Sequence, residues 1–451
     1  RLGNAVQAAM KKDTCRYLVV GAGVTGESVV SYLLANDKNI KVMDSRELPP
    51  NAKKISDKVG AHNVHYGELN QRWLLDADVI VLSPGVDVHT REIQTAIEHG
   101  IEVIGDIELF SRNATKPYFA ITGSNGKSTV TTLVTEILNS QGIHAKAGAN
   151  IGRPALDLIQ DDSVEMYVLE LSSFQLETCQ SIRPEAAVVL NISEDHLDRH
   201  ATYDEYFNIK MSIYDNAKTR IIPRNTTIKT RHATSFGLDT PPSGHYGIIS
   251  DNEGEWLAHG QKKLLNTALL RLIGDSGKLN ALAALALAEP YIKNWGAALE
   301  VLTKFNGLPH RCQLVFEYGN VQWIDDSKGT NIGATVAAIK GLERPIILLL
   351  GGLYKGGDLD ELVSVVSDKV TAVIVFGKDR DIFNEALSGV VNTSIADSLE
   401  DAVLLASRMS QNNDVVLFSP ACASFDMFSN YKERGIAFQK LAKKYGASHG
   451  G

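Results

Sequence analysis

Tyr118-Phe-Ala-Ile-Thr122 is an apolar run with strand character, and it leads without a break into Gly123-Ser-Asn-Gly126-Lys127-Ser128-Thr129 and then a helix-like stretch over 130–139. Strand, glycine turn and helix in that order make an anion cradle. The glycines let backbone N–H groups approach a phosphate, the helix N-terminus adds a partial positive charge, and Lys127 adds a full one. Ser128 is placed to put its hydroxyl on Mg²⁺. The loop departs from the common G-x-x-x-x-G-K-[ST] pattern, which needs a glycine where Ile121 stands; here it is two residues shorter. The bland alternative is a glycine turn followed by a surface lysine.

A chain of 451 residues exceeds one ordinary domain and calls for about three. Its formal charge of −8 argues against general attraction to nucleic acid, and there is no dense Lys/Arg run to reverse this locally. Anionic ligands must therefore be held by local charges. No apolar run approaches the roughly 20 residues that span a bilayer, so neither a membrane nor a nucleic acid is expected as a partner. The opening Arg1-Leu-Gly-Asn-Ala-Val has no apolar segment before a small-residue cleavage site, and the missing initiator Met reads as trimming; export is not expected. Cys15, Cys179, Cys312 and Cys422 lie far apart and form no C-x-x-C pair, which fits reduced thiols in the cytoplasm.

The first unit opens with a strand at 17–20, Gly21-Ala-Gly23-Val-Thr-Gly26, a helix to Ala35 and a strand ending at Asp44. This is a Rossmann-type opening: the glycines allow a tight turn and a close diphosphate, and an acidic residue about 20 positions on can meet a ribose hydroxyl. NAD is one ligand consistent with it, and a ligand-free βα turn is the alternative. Strands at 78–82, before Ser83-Pro84-Gly85, and at 102–104 carry the alternation to a boundary near 106. The second unit carries the phosphate loop, with strands at 166–169 and 186–190 that end in polar residues. Residues 221–265 read as irregular or antiparallel structure before an Ala/Leu-rich helix over 280–289. A third unit begins near 307, with strands at 346–350, 372–376 and 415–418 and a glycine turn at Gly351-Gly352. The expected fold is α/β, three consecutive domains over 1–106, 107–306 and 307–451: Rossmann-like, central P-loop type with a parallel sheet, and Rossmann-like again.

Glu170 follows a strand directly and His196 follows another, and both suit a divalent cation near a phosphate loop. Mg²⁺ favours a few protein oxygens together with phosphate and water, so Ser128 and Glu170 fit it better than the histidine. By itself His196 is as readily a polar residue at a helix start, and Lys210, in a helix-like stretch, reads as a solvated lysine.

Together these segments resemble the ATP-dependent Mur ligases, over nearly the whole chain. The resemblance rests on Gly105-Asp-Ile-Glu-Leu-Phe110, the 122–129 loop, Asn150-Ile-Gly152, Leu169-Glu-Leu-Ser-Ser-Phe-Gln-Leu176, the Glu-Asp-His196 segment, Gly307-Leu-Pro-His-Arg311, Asp326-Ser-Lys-Gly-Thr-Asn331 and Ser419-Pro-Ala-Cys-Ala-Ser424. The 326–331 segment points to the branch that adds D-glutamate, and the Asp-Asn-Pro-Arg signature of the diaminopimelate-adding branch is missing. The resemblance implies a step of peptidoglycan precursor synthesis: ATP phosphorylates the carboxylate of UDP-MurNAc-L-Ala, and the amine of D-glutamate attacks the acyl phosphate to give an amide, ADP and phosphate.

Carried over by position, the resemblance implies ATP contacts at Gly123, Ser124, Asn125, Gly126, Lys127, Ser128, Thr129, Asn280, Arg311 and Asp326, with Lys328 near the reacting carboxylates. It implies two Mg²⁺ ions, one on Ser128 and Glu170 and one on His196 and Lys210, the lysine as a carbamate. The UDP part of the substrate displaces NAD in the first unit, on Val24, Thr25, Asp44, Ser45, Arg46, Ser83 and Gly85, and Asn150 and His196 meet its muramoyl-alanine end. D-Glutamate falls on Thr330, Lys355, Ser424 and Phe425, with Tyr431 where the family often has Phe. Catalytic roles fall on Lys127, Glu170, His196, Lys210 and Lys328. A monomer is expected, as is closure of the third domain on the others. One departure stands out: where the family usually carries His-Asn before Asn280, this chain has Ser276-Gly277, and a lost amide there costs about 0.5–1.5 kcal/mol of ATP binding. The competing readings are an NAD-dependent oxidoreductase, which leaves the 123–129 loop unexplained, and a related ligase such as a folylpolyglutamate synthase or a catalytically silent binding module.

Overall fold

The computed structural model describes residues 15–193, 200 and 202–447. By the density of its contacts the chain forms two compact units, Arg1–Thr122 with Gly142–Val188 and Asn208–Arg220, and Gly123–Gln141 with Val189–Phe207 and Ile221–Gly451.

The first unit opens with strands β1 (Arg16–Val20), β2 (Asn39–Asp44), β3 (Val64–Tyr66), β4 (Val79–Leu82) and β5 (Glu102–Gly105). They pair in parallel in the order β3-β2-β1-β4-β5, the Rossmann order without its sixth strand. Two glycines set the geometry of the first turn. A Cβ at Gly26 would lie 1.8 Å from Gly21 O, so the helix Val24–Ala35 can approach the end of β1 only with glycine there. Gly21 itself has φ +111° and would meet Ser83 Oγ at 2.5 Å. Around Gly23 a Cβ would find open space. The same unit holds β6 (Tyr118–Thr122), β7 (Ala145–Ala149), β8 (Met166–Glu170) and β9 (Ala186–Val189), with β6 and β7 pairing β8 in parallel.

The second unit continues the chain from β6 through the 123–126 loop into the helix Lys127–Ser140. Strands β10 (Thr219–Pro223), β11 (Ala233–Phe236), β12 (Tyr246–Asp251), β13 (Gly254–His259) and β14 (Lys262–Asn266) follow one another in space. The pairs β12–β13 and β13–β14 are antiparallel, as expected for 221–265, whereas β11 and β12 are parallel. The helix that follows runs Gly274–Ala288, starting six residues before the position expected from its Ala/Leu content. Its first turn is Gly274-Asp-Ser-Gly277, a poor helix former by propensity; it packs closely on a distant turn, a Cβ at Gly274 falling 2.6 Å from Gly341 O. From Ala281 to Ala288 it is buried all round, packed on the helices of a core rather than carrying one apolar stripe.

The last sheet contains β15 (Gln313–Tyr318), β16 (Val321–Asp325), β17 (Ile346–Gly351), β18 (Val370–Phe376), β19 (Asn392–Ile395) and β20 (Val415–Phe418), ordered β15-β16-β20-β17-β18-β19. All its pairs are parallel except the hairpin β15–β16, turned by Gly319 and Asn320 with φ +56° and +59°, the left-handed pair that matches strand twist. Along β17, Ile346, Leu348 and Leu350 enter one apolar cluster, and Ile347 and Leu349 enter the other. A strand covered on both faces needs an unbroken apolar run rather than alternation, which is why Ile-Ile-Leu-Leu-Leu reads as it does.

Candidate functional site

In the second unit the 123–129 loop is organised from below. Gly123 and Gly126 have φ +150° and +84°, backbone states that side chains resist. Asn191, at the end of β9, clamps the loop: its Oδ1 accepts from Asn125 N at 2.8 Å and its Nδ2 donates to Asn125 O at 3.0 Å. Ser124 Oγ accepts from Ser193 N at 3.0 Å and lies 3.0 Å from Tyr206 OH. Lys127 Nζ curls back over the loop and donates to Gly123 O at 2.8 Å and Ser124 O at 3.1 Å. Arg311 Nη2 donates to Ser128 Oγ at 2.7 Å. The loop, a buried hydroxyl and two cations thus converge where an oligophosphate would lie.

This loop opens into a cavity of ≈ 700 Å³, in the size range of small-ligand sites. Asn125, Gly126, Thr129, Asn280, Arg311, Asp326 and Lys328 all line it, so most of the expected ATP residues share one space. Asn280 stands against the loop, since a Cβ at Gly126 would lie 2.7 Å from its Oδ1. Ser276 and Gly277 line the cavity as well. Asp326 is buried, accepts from Cys312 N at 3.1 Å and from Ser419 Oγ at 2.7 Å, and burial pushes its carboxyl up to about 6. The Arg224 and Phe236 side of the wall, together with Leu272 and Cys312, was not legible from motifs; nothing in 221–272 carries a signature.

The residues expected for D-glutamate lie around the carboxyl ends of β16, β17 and β20. Lys328 Nζ sits 4.7 Å over the Tyr431 ring, a cation–π contact. Thr330 N donates to Lys328 O at 2.8 Å. Ser424 is buried, Phe425 is 71% exposed, and Lys355 is half-buried after the Gly351-Gly352 turn. Arg434, fully buried and unremarked in the sequence, holds the two loops in place: its Nη2 donates to Ser327 O at 2.7 Å and its Nη1 to Cys422 O at 3.0 Å. His310 Nδ1 and Gln439 Nε2 meet Asp325 Oδ2 at 2.6 and 2.8 Å beneath the same loop.

In the first unit, Asp44 is buried at the end of β2 and accepts from Ala22 N at 2.7 Å, while Arg46 grips both its oxygens at 2.8 and 2.6 Å. Burial raises the Asp44 pKa, but Arg46 and the backbone N–H groups outweigh it and hold the carboxyl below its ordinary value. With both oxygens engaged, Asp44 is less able to take a ribose hydroxyl as in NAD enzymes; the Gly23 face, exposed Val24 and Thr25 at the helix start leave room for a ligand beside Ser45 and the Ser83–Gly85 turn. At the end of β8, Glu170 is buried, its Oε1 accepts from Asn150 Nδ2 at 2.8 Å, and its Oε2 has no hydrogen-bond partner among the described residues. A buried carboxylate oxygen left open suits a hard cation. Lys210 is not the solvated lysine that its helix suggested: it is 2% exposed and donates to Thr122 Oγ1 at 3.4 Å. His196 lies outside the described residues.

The phosphate loop and the cavity it opens into have the form of a nucleotide site on an α/β scaffold, and the chain belongs to the Mur ligase family, a family of ATP-dependent ligases. Residues 15–105 match the model of the MurD-like N-terminal domain, 121–288 that of the Mur ligase middle domain and 310–422 that of the Mur ligase glutamate ligase domain. Within the family the chain is 42% identical to the UDP-N-acetylmuramoylalanine–D-glutamate ligase of Haemophilus influenzae, covering 94% of this chain and 97% of that protein. It is 44% identical to the enzyme of the same name from Methylobacillus flagellatus, covering 94% and 95%. The solved UDP-N-acetylmuramate-alanine ligase of Thermotoga maritima shares the fold, with TM-score 0.57 at 16% identity over 95% of this chain and 99% of that one. The expected architecture, three successive α/β domains with mostly parallel sheets, is the one found. No helix among the described residues is long and apolar enough to cross a membrane.

Proposed function

We propose that this protein joins D-glutamate to UDP-N-acetylmuramoyl-L-alanine at the expense of ATP, through an acyl phosphate, with release of ADP and phosphate. The observation that carries the reading is the cavity shared by Asn125, Gly126, Thr129, Asn280, Arg311, Asp326 and Lys328, in a chain 42% identical to an enzyme of that name. The domains would run 1–106, 107–306 and 307–451, in keeping with the spans of the three family models. A monomer in the cytoplasm goes with this reading.

The substrate carboxylate attacks the γ-phosphorus, the bond to the β,γ-bridging oxygen breaks, and ADP departs with that electron pair. Such a transfer is catalysed by positioning and by neutralising charge on the phosphoryl oxygens. The 123–129 N–H groups, Lys127 and Arg311 supply that neutralisation; Lys127 exchanges its loop carbonyls for phosphate oxygens on nucleotide binding. Asp326 and Asn280 accept and donate to the nucleoside. The amine of D-glutamate then attacks the acyl carbon, and phosphate leaves as the better leaving group, while Lys328 stabilises the tetrahedral oxyanion. Thr330, Lys355, Ser424, Phe425 and Tyr431 hold the two carboxylates and side chain of D-glutamate. In the first unit, Val24, Thr25, Asp44, Ser45, Arg46, Ser83 and Gly85 hold the UDP part, and Asn150 orients the muramoyl-alanine end, a role His196 shares. Glu170, Ser128, His196 and a carbamate on Lys210 would be the donors for two Mg²⁺ ions, which would supply further charge neutralisation at the phosphoryl group. The open Glu170 Oε2 supports the first of these.

The test is phosphate release with ATP, Mg²⁺ and UDP-N-acetylmuramoyl-L-alanine, comparing D-glutamate with L-glutamate, D-aspartate, L-lysine and meso-diaminopimelate. Release that needs D-glutamate is expected; turnover unchanged when D-glutamate is left out would sink the proposal.

A further inference from the structure

The cavity wall formed by β10 and β11 holds an arginine whose hydrogen bonds are already taken. Arg224 Nε donates to the two oxygens of Asp239 at 3.0 and 3.2 Å. Its Nη1 donates to Tyr246 O at 2.7 Å and Ser235 Oγ at 3.2 Å, and its Nη2 to Asp239 Oδ1 at 2.8 Å and Asp239 O at 3.3 Å. A guanidinium has five N–H groups, and here all are answered by protein. Packing fixes it as firmly: a Cβ at Gly237 or at Gly247 would come within 3.1 and 2.8 Å of Nη2. The side chain is only 13% exposed, yet it lines the cavity.

An arginine that binds phosphate or carboxylate offers the edge of its fork. Arg224 has turned that edge into the protein, so the planar face is what its guanidinium can still offer a ligand. Phe236 lies beside it, with Arg224 N donating to Phe236 O at 2.7 Å, and it lines the same wall. The phosphate end of the cavity is set by the 123–129 loop, where Arg311 donates to Ser128. A nucleotide anchored there must lodge its base against another wall. On the side of Gly277, Leu272 and Ile273 offer hydrocarbon, Gly277 has no room for a side chain that could read the base, and Ser276 brings only a short hydroxyl. Of the planar, delocalised cations on the lining, Arg311 serves the loop end and Arg271 is exposed, with Nη1 donating to Asn306 Oδ1 at 2.8 Å; Arg224 is held on every N–H, and such a group favours a flat aromatic ring over other apolar ligands.

We propose that Arg224 is a positioning residue for the nucleotide, the purine base resting on its guanidinium face beside Phe236. The inference depends on the nucleotide reading of this cavity. It makes recognition of the base a matter of stacking rather than of hydrogen-bond readout on this side.

Calorimetric titration of the full chain with ADP and with inorganic tripolyphosphate separates the two ideas, using the parent, Arg224→Lys and Arg224→Met, with melting temperatures recorded in parallel. Lysine keeps the charge and loses the plane. Both variants are expected to bind ADP about three- to thirty-fold more weakly and to bind tripolyphosphate within about twofold of the parent, which has no base to stack. Equal weakening of both ligands would make Arg224 a structural residue of β10–β12 and overturn the proposal. So would ADP binding unchanged in the lysine variant, or a parent that binds tripolyphosphate as tightly as ADP. A parent that binds neither ligand would remove the nucleotide reading itself, and this inference with it.

Discussion

The substitution Asp326→Asn should stabilise the ligand-free protein at neutral pH while impairing its use of nucleotide. Asp326 is enclosed at the end of β16 with two hydrogen-bond donors, Cys312 N and Ser419 Oγ, and burial pushes its carboxyl from 3.8 to about 6. In the unfolded chain the group ionises near 4. Between these values the folded protein holds a proton that the unfolded chain has released, so stability falls as pH rises through the window and is level above it. About two pH units at about 1.36 kcal/mol each give close to 3 kcal/mol of destabilisation at pH 7. The carboxamide of the variant can still accept from Cys312 N, and Ser419 can turn toward Thr335 Oγ1, 2.9 Å away; weaker, uncharged hydrogen bonds return about 1 kcal/mol of the gain. The variant should therefore be more stable than the parent by about 1–2 kcal/mol at pH 7.5 and by nothing, or slightly less stable, at pH 4. Urea denaturation of both proteins from pH 4 to pH 8 measures the difference. Asp106, also pushed up to about 6 by burial, titrates in both and cancels. A stability difference that stays flat across this range would refute the reasoning.

Glu170→Gln should lower kcat by about 100-fold or more and raise the Mg²⁺ concentration needed for half-maximal rate, without loss of stability, because it removes a buried charge whose Oε2 is unpartnered among the described residues; Mg²⁺ titration of phosphate release checks it. Gly126→Ala places a Cβ 2.7 Å from Asn280 Oδ1 at φ +84° and should cost about 1–2 kcal/mol of stability together with most ADP binding, read by denaturation and calorimetry. Arg434→Met leaves Ser327 O and Cys422 O without their donor and should cost about 3 kcal/mol or more, with a rise in KM for D-glutamate that exceeds the rise for ATP. If Lys210 carries a carbamate, activity after acid-free dialysis against CO₂-depleted buffer falls and returns with bicarbonate, while Lys210→Ala shows neither change.

Local chemistry carried much of this molecule into view from the chain alone. The strand–glycine–helix passage at 118–129 was legible because glycine at positive φ, a lysine and a hydroxyl are demanded by the phosphate wherever the loop lies. The unbroken apolar runs of β17 and β20 announced strands, which the structure buries on both faces. The start of the helix Gly274–Ala288 was not legible, since Gly274-Asp-Ser-Gly277 opposes helix by propensity and its close packing is on Gly341, far along the chain. Strands β15 and β19 have a reason of their own: partly exposed strands lack the apolar run on which β17 and β20 were recognised. In β16, largely buried, Gln322 interrupts that run.

What the sequence by itself determined is the set of elements and the chemistry each can offer: the phosphate loop, the Rossmann-type opening, the acidic and lysine residues set at strand ends. These follow from backbone sterics and side-chain charge within a few residues, and so can be read locally. Only the tertiary structure decided which of them share a space. It buried Lys210, tied Asp44 to Arg46, left one oxygen of Glu170 open among the described residues, and brought Arg224, just past the end of β10, into the wall of the cavity that the 123–129 loop opens into. Burial and partnership are set by residues tens to hundreds of positions away, and no local pattern records them.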